Sequence, residues 1–220
     1  MNILVKFPTR HRPSQFVRVL NGYVLNQTTA NVHYLVTIDS DDRSMVNVRD
    51  SLAHHDHISV DIGRSYSKIH ACNRGINKFD NDWDIIVLAS DDMVCQKKGW
   101  DKQLIDEMVS TYPDGDGVLF HNDGFLGEKL NTMCIMGRKY YDRFGFIYHP
   151  DYKSFWCDNE FMSVADGLNK QTYMDDVLFK HNHPANTGGV ADSLYLNANN
   201  DYNNDKRTYD ERKRNGFDIQ

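Results

Sequence analysis

The sequence predicts an α/β domain with a mostly parallel central sheet, and three features carry that prediction. Short β-rich apolar runs alternate with amphipathic helical stripes as far as about residue 115, the order expected of successive βαβ units. One of those runs, within residues 84–89, is continuously apolar, as a strand covered on both faces must be. The rhythm then changes. Residues 118–120 and 133–136 read as strands joined by a loop with no helix between them, so a smaller mixed half follows the parallel one.

Taken in order, residues 3–7 form a β-rich run ended by Pro8. Phe16, Val19, Leu20, Tyr23 and Val24 recur at helical spacing, with Ser14 as the N-cap. Residues 34–38 form a second buried strand, broken by Asp39-Ser40-Asp41-Asp42. Met45, Val48 and Leu52 mark a short helix, and Ile58, Val60 and Ile62 alternate as a strand that Gly63 ends. Ile69, Cys72, Ile76 and Phe79 make one helical stripe before the 84–89 strand; Trp100, Leu104 and Met108 make another after it. Further on, Phe161, Val164 and Leu168 mark a helix and residues 177–179 a last strand. Residues 185–220, rich in Asn, Asp, Gly and charge, read as a wrapping tail or a partly disordered segment.

The chain has 220 residues, 40% of them hydrophobic and 25% charged, which suits one large soluble domain. No apolar run approaches the ~18 residues of a membrane span, and the N-terminal run is too short for a signal peptide. A cytoplasmic protein is expected. Cys72, Cys95, Cys134 and Cys157 never form a CxxC pair, so they read as reduced thiols. The net charge of −6 argues against a non-specific nucleic-acid binder. Its distribution says more: residues 1–38 hold Lys6, Arg10, Arg12 and Arg18 and no acid, and carboxylates then arrive in clusters. Together these suggest an anionic ligand held jointly with a cation.

Open α/β sheets bind ligands beyond the carboxyl ends of their strands, and three such ends carry unusual residues. Pro8-Thr9-Arg10-His11-Arg12-Pro13 puts two guanidiniums on a turn before a helix, either a phosphate or base site or a solvated loop. Asp39 can accept from a ribose hydroxyl or a base N–H, or belong to an ordinary turn. Asp91 and Asp92 follow a buried strand directly. Adjacent carboxylates there repel one another, and a hard divalent cation relieves the repulsion; the alternative is an Asx-turn with both acids in solvent.

These residues, in this order, resemble the GT-A glycosyltransferases, particularly the family-2-like group. The Pro-Thr-Arg turn, Asp39, the Ala71-Cys72-Asn73-Arg74-Gly75-Ile76 segment and the acidic end at 90–92 match its order of motifs. In that group an "ARNxGI"-like helix precedes a DxD motif by about fifteen residues. Trp156-Cys157-Asp158-Asn159-Glu160-Phe161 resembles the family's "ED" motif, and Lys180-His181-Asn182-His183 its metal-completing histidine. The likeness spans roughly residues 3–184, with Ser90 in place of the first DxD acid and Cys157 in place of the ED glutamate.

The resemblance implies a single GT-A domain over 1–184, with a nucleotide-sugar half at 1–115, an acceptor half at 116–184 and a tail at 185–220. It implies transfer from a nucleotide-diphosphate sugar to a saccharide or other hydroxyl acceptor, with inversion and with Mn²⁺ or Mg²⁺ as cofactor. Thr9, Arg10, Arg12, Asp39, Lys68, Asn73 and Asp91 would meet the donor; Asp92 with His181 or His183 would hold the metal. Asp158 would be the general base, ionised at its helix N-terminus, or Glu160 would take that role. Strand alternation turns the two histidines apart and favours His181. Residues 120–127 suggest a flexible loop over the acceptor. Small phage-type enzymes of this group suggest hydroxymethylated DNA bases as an alternative acceptor, the location then being the host cytoplasm. A nucleotidyltransferase and a non-catalytic nucleotide- or glycan-binding module are the competing functions.

Overall fold

The computed structural model describes residues 1–79, 82–188 and 199–219. Its first half comprises β1 (Ile3–Thr9), α1 (Pro13–Asn26), β2 (Val32–Asp39), α2 (Val46–Leu52), β3 (Ile58–Gly63), α3 (Lys68–Asn73), β4 (Ile85–Leu88), β5 (Met93–Cys95) and α4 (Trp100–Thr111). The second comprises β6 (Val118–His121), β7 (Ile135–Gly137), α5 (Arg138–Asp142), α6 (Cys157–Gly167), β8 (Gln171–Met174), β9 (Phe179–His181), α7 (Pro184–Thr187) and α8 (Tyr202–Arg214).

Seven strands form one sheet in the order β3-β2-β1-β4-β7-β6-β8, in which β7 alone runs against the rest. This is the α/β, mostly parallel architecture that the alternation predicts. A second, two-stranded antiparallel sheet pairs β5 with β9 and sets Met93 opposite His181. Among the described residues no helix is long and apolar enough to cross a membrane. All four cysteines are free and buried.

The pleat of β1 divides the core. Ile3, Val5 and Phe7 point into a cluster with α1 and α4, while Leu4 joins a second cluster with α3, α5, α6 and α8. In the first cluster Tyr23 stacks on Phe179 at 4.8 Å, and Trp100 meets Tyr23 edge-on at 5.5 Å. These rings clamp β9 to α1 and α4, and so fix the strand that carries His181. Lys6 also points from β1 toward the second cluster. It is fully buried, donates to the Thr37 hydroxyl, and burial pulls its pKa down to about 7.

Several local expectations are corrected. Helix α1 starts at Pro13, whose missing N–H and preset φ suit the first helical position, so Ser14 lies inside the helix and caps nothing. The stripe from Ile69 to Phe79 is two pieces: α3 stops at Asn73 and Gly75, at φ +88°, turns the chain into a 3₁₀ segment. The last strand lies at 179–181, not 177–179, and β5, β8 and α5 were not anticipated.

Part of the segment read as a tail, residues 202–214, is helix α8 packed on α6; residues 189–198 and 220 lie outside the described ones. Buried Asp205 accepts the backbone N–H groups of Lys153 (3.0 Å), Ser154 (2.8 Å) and Phe155 (2.8 Å). That bundle of bonds holds the chain just ahead of α6. Asp205→Ala is expected to cost about 3 kcal/mol, because three N–H groups lose their acceptor. A fall in the urea midpoint measures it; an unchanged midpoint would place α8 outside the cooperative fold.

Candidate active site

The first wall of the site is the turn after β1. Thr9 ends the strand with a buried hydroxyl that has no hydrogen-bond partner. The next residues fan out. Arg10 pairs with Asp39 at 2.5 Å and Asp41 at 2.8 Å, toward the end of β2. His11, at φ 58°, gives its N–H to buried Asp42 at 2.6 Å. Arg12 turns the other way and meets Asp91 at 2.9 Å, at the end of β4. The left-handed residue between the two arginines thus directs one guanidinium to each neighbouring strand end.

Arg74, quoted in the motif but not chosen as a site residue, bolts this wall together. It donates to Asp61 at 2.8 Å, to the Ile38 carbonyl at 2.9 Å and to Ser65 at 3.0 Å, and lies 3.5 Å from Asp39. Gly75 follows because a Cβ there would crowd Asp61 at 3.1 Å. Asn73, expected to meet the donor, has another task. Its amide donates to the Tyr148 carbonyl (2.7 Å) and accepts the N–H groups of Ile147 (2.9 Å) and Tyr148 (3.2 Å). With all these bonds it tethers the loop before α6.

The acidic end of β4 forms the floor. Asp91 and Asp92 are both buried, as is unusual for adjacent carboxylates without compensation. Arg12 compensates Asp91. Asp92 accepts the Ser90 hydroxyl on one oxygen, so the serine standing in for the first DxD acid orients the second. Its other oxygen lies 3.7 Å from His181 Nε2, and its carbonyl accepts the Asn182 N–H at 2.8 Å. The His181 and His183 rings meet edge-on at 5.6 Å. Strand alternation therefore does not turn them apart, because β9 ends at His181. Burial, and then the neighbouring His181, lower the pKa of His183.

Asp123 was missed by the sequence reading. Its Oδ2 lies 3.8 Å from His181 Nδ1, a nitrogen buried without a hydrogen-bond partner, and its carbonyl accepts the His181 N–H at 2.9 Å. The same carboxylate caps the N–H groups of Phe125 (2.9 Å) and Leu126 (2.7 Å) and accepts Thr132 at 3.0 Å. The 120–127 loop, expected to be flexible, is pinned at this point. The available signal was an acid in a Gly-rich segment after a strand, which also describes a plain turn.

On the third side stands the start of α6. Burial raises the pKa of Asp158 above the ordinary carboxylate value, opposed by the charge of Lys68, the first residue of α3. The helix-dipole expectation of a firmly ionised acid thus meets a larger effect of opposite sign. Desolvation works against the Lys68 ammonium, yet the acidic groups around it, Asp92 and Asp158 included, lift its pKa. Lys68 is thus within electrostatic reach of both acids. Glu160, the alternative base, is elsewhere. Buried, it accepts two nitrogens of Arg212 at 2.9 Å and the Tyr152 hydroxyl at 2.7 Å, joining α6 to α8.

The residues at the floor fit a divalent cation. A carboxylate oxygen of Asp92 and an imidazole nitrogen of His181 face each other too far apart for a hydrogen bond, a little wider than two ligands of one ion. The donors are hard oxygen and borderline nitrogen, which suit Mn²⁺ or Mg²⁺.

No protein-family model and no curated protein matches the chain. Solved structures do. The mannosyltransferase PcManGT from Pyrobaculum calidifontis, in complex with GDP-Man and Mn²⁺, superposes with a TM-score of 0.66 at 13% identity, over 84% of this chain and 58% of that one. S. aureus TarS 1-349 does so with a TM-score of 0.63 at 12% identity, over 84% and 62%. The TarS 1-349 complex with UDP-GlcNAc gives 0.61 at 12% identity, over 82% and 58%. The chain spans about six-tenths of the length of these structures. The seven-stranded sheet, the acidic end of β4 and these superpositions together establish that the chain has the GT-A glycosyltransferase fold.

Proposed function

We propose that the protein is a glycosyltransferase that moves a sugar from a nucleotide-diphosphate sugar to an acceptor hydroxyl, with metal assistance and inversion. The observation that carries this is the buried acidic end of β4, where Asp92 faces His181 at 3.7 Å at the carboxyl end of the parallel sheet of a GT-A fold, within electrostatic reach of Lys68, which in turn acts on Asp158. Similarity to structures solved with GDP-Man and UDP-GlcNAc supports the donor class.

The turn after β1 lies against the nucleotide. The buried Thr9 hydroxyl and Asp39, held by Arg10 and Arg74, address its base and ribose. Asp92 with His181, and with His183 beside it, would hold Mn²⁺ or Mg²⁺, while Asp91 fixes Arg12 over the phosphates. When bound, the ion supplies positive charge against the departing nucleoside diphosphate. Lys68 adds a fixed ammonium beside the same charge. Asp158 removes the acceptor's proton, and its raised pKa improves it as a base. With Glu160 engaged by Arg212, one carboxylate serves the acceptor, which matches a single inverting displacement. The acceptor is a saccharide or other hydroxyl compound. The net charge of −6 disfavours DNA, and salt-sensitive transfer to hydroxymethylated duplex would reverse that reading.

A thermal-shift panel of UDP, GDP, CDP and ADP, each with Mn²⁺, Mg²⁺ or EDTA, tests the donor site. One diphosphate is expected to stabilise the protein by about 2.7 kcal/mol at a hundredfold excess over its Kd, only with metal. Asp92→Ala should remove the metal-dependent part. A shift that survives both EDTA and Asp92→Ala eliminates the metal assignment, and the absence of any nucleotide shift eliminates the donor site.

A further inference from the structure

A second group of metal-ligating side chains lies outside the cleft. Glu107 from α4, His121 from the end of β6 and Asp176 from the β8–β9 loop converge so that one ligand atom of each lies within 4.8 Å of the other two. His121 is 3% exposed, with Nε2 2.9 Å from Glu107 and Nδ1 3.1 Å from Asp176. A neutral imidazole carries one N–H and cannot donate to both carboxylates, so the cluster needs a cation: a second proton or a metal ion. Gln103 Nε2 touches the outer oxygens of both acids, at 2.7 Å and 2.6 Å, and Lys97 lies 3.6 Å from Asp176. An amide that rotates by half a turn presents its oxygen in place of its nitrogen.

We propose that His121 Nε2 and Glu107, with the Gln103 amide oxygen as third ligand, bind a divalent metal ion of the zinc class, while Asp176 accepts the Nδ1–H on the far side of the same ring. The set is one imidazole nitrogen and two oxygens with a fourth position for water, a mixture zinc accepts, and Asp176 behind the imidazole adds a second negative charge. Ligand atoms around tetrahedral zinc stand roughly 3.3 Å apart, so the 2.9 Å between Nε2 and Glu107 and the 2.7 Å between Gln103 and Glu107 widen by only about half an ångström to admit it. Gln103 and Glu107 also line an open surface cleft of about 800 Å³, which gives the ion a route in. The ion would tie α4 to β6, and Asp176 on the same imidazole carries the link to the loop that leads into β9. The proposal is independent of the transferase reading.

Zinc alone, titrated into metal-free Asp92→Ala protein against a chromophoric chelator, tests it with the other candidate site disabled. That protein is expected to bind one Zn²⁺ and to melt at a higher temperature with it. Adding His121→Ala should weaken binding by tenfold or more and abolish the thermal shift. Glu107→Gln keeps the side-chain volume and serves as the second variant, with the same expected loss, should His121→Ala fail to fold. Zinc binding that neither change alters, or no binding to the Asp92→Ala protein, overturns the proposal and leaves a protonated histidine between two acids.

Discussion

Asp158→Asn is expected to lower sugar transfer on the order of 10³-fold, the range over which a positioned general base acts, while leaving the metal-dependent nucleotide shift intact. The reasoning is positional. Asp158 opens α6 beside Lys68, and Glu160, two residues on, is fixed by Arg212 and Tyr152. Asparagine keeps the shape and the helix-start hydrogen bonding but cannot take a proton. The pH profile supplies a second reading. A base must be deprotonated to work, so wild-type kcat/KM should rise with pH through the pKa of Asp158, which burial has moved above the usual carboxylate range. The residual activity of Asp158→Asn should lose that limb. If the variant turns over like wild type, or keeps the same acidic limb, another group is the base.

The other large effect is on stability. Lys6 lies wholly within the second core cluster, with the Thr37 hydroxyl as its hydrogen-bond partner and Cys72, Asp61 and Arg74 as its charged or titratable neighbours. Its pKa falls from 10.5 to about 7 on folding, chiefly through desolvation. Between those values the unfolded chain binds the extra proton, so stability rises with pH across that window and reaches its low plateau below pH 7. The span is worth on the order of 5 kcal/mol at about 1.36 kcal/mol per pH unit. Lys6→Met retains the length without the charge. Urea unfolding at pH 7 and pH 10 should show a smaller pH dependence in the variant, with a gain at pH 7 reduced by the bond lost to Thr37. Parallel curves for the two proteins would show that the Lys6 ammonium finds solvent or a counter-charge in the fold.

Periodicity is local, and wherever the order of elements depended on it alone the sequence sufficed. The stripe of Phe16, Val19, Leu20 and Tyr23 makes α1, and the apolar run in β4 makes a strand covered on both faces. Pro8, Asp39, Gly63 and the acids after β4 likewise marked the carboxyl ends of their strands. Strands β5, β8 and β9 have three or four residues each, too few for alternation to register, and a neighbouring strand distant in sequence defines them.

The chemistry divides along the same line. That Asp91 and Asp92 cannot share a buried strand end without positive charge follows from Coulomb repulsion and needs no structure. Which cation meets which acid does need one: Arg12 reaches Asp91 across 79 residues, and Arg212 reaches Glu160 across 52. Asp158 and Glu160 differ in sequence by two positions on one helix, yet the charge of Lys68 offsets the burial of one and Arg212 neutralises the other within the core. Asn73 is similar, a polar residue in a site-like motif whose amide is occupied by backbone 74 and 75 residues away. The sequence by itself determined the type of fold and the kinds of group at the carboxyl end of its sheet, because both depend on neighbours in the chain. Only the tertiary structure decided which partner compensates each of those groups, because desolvation and ion pairing depend on neighbours in space.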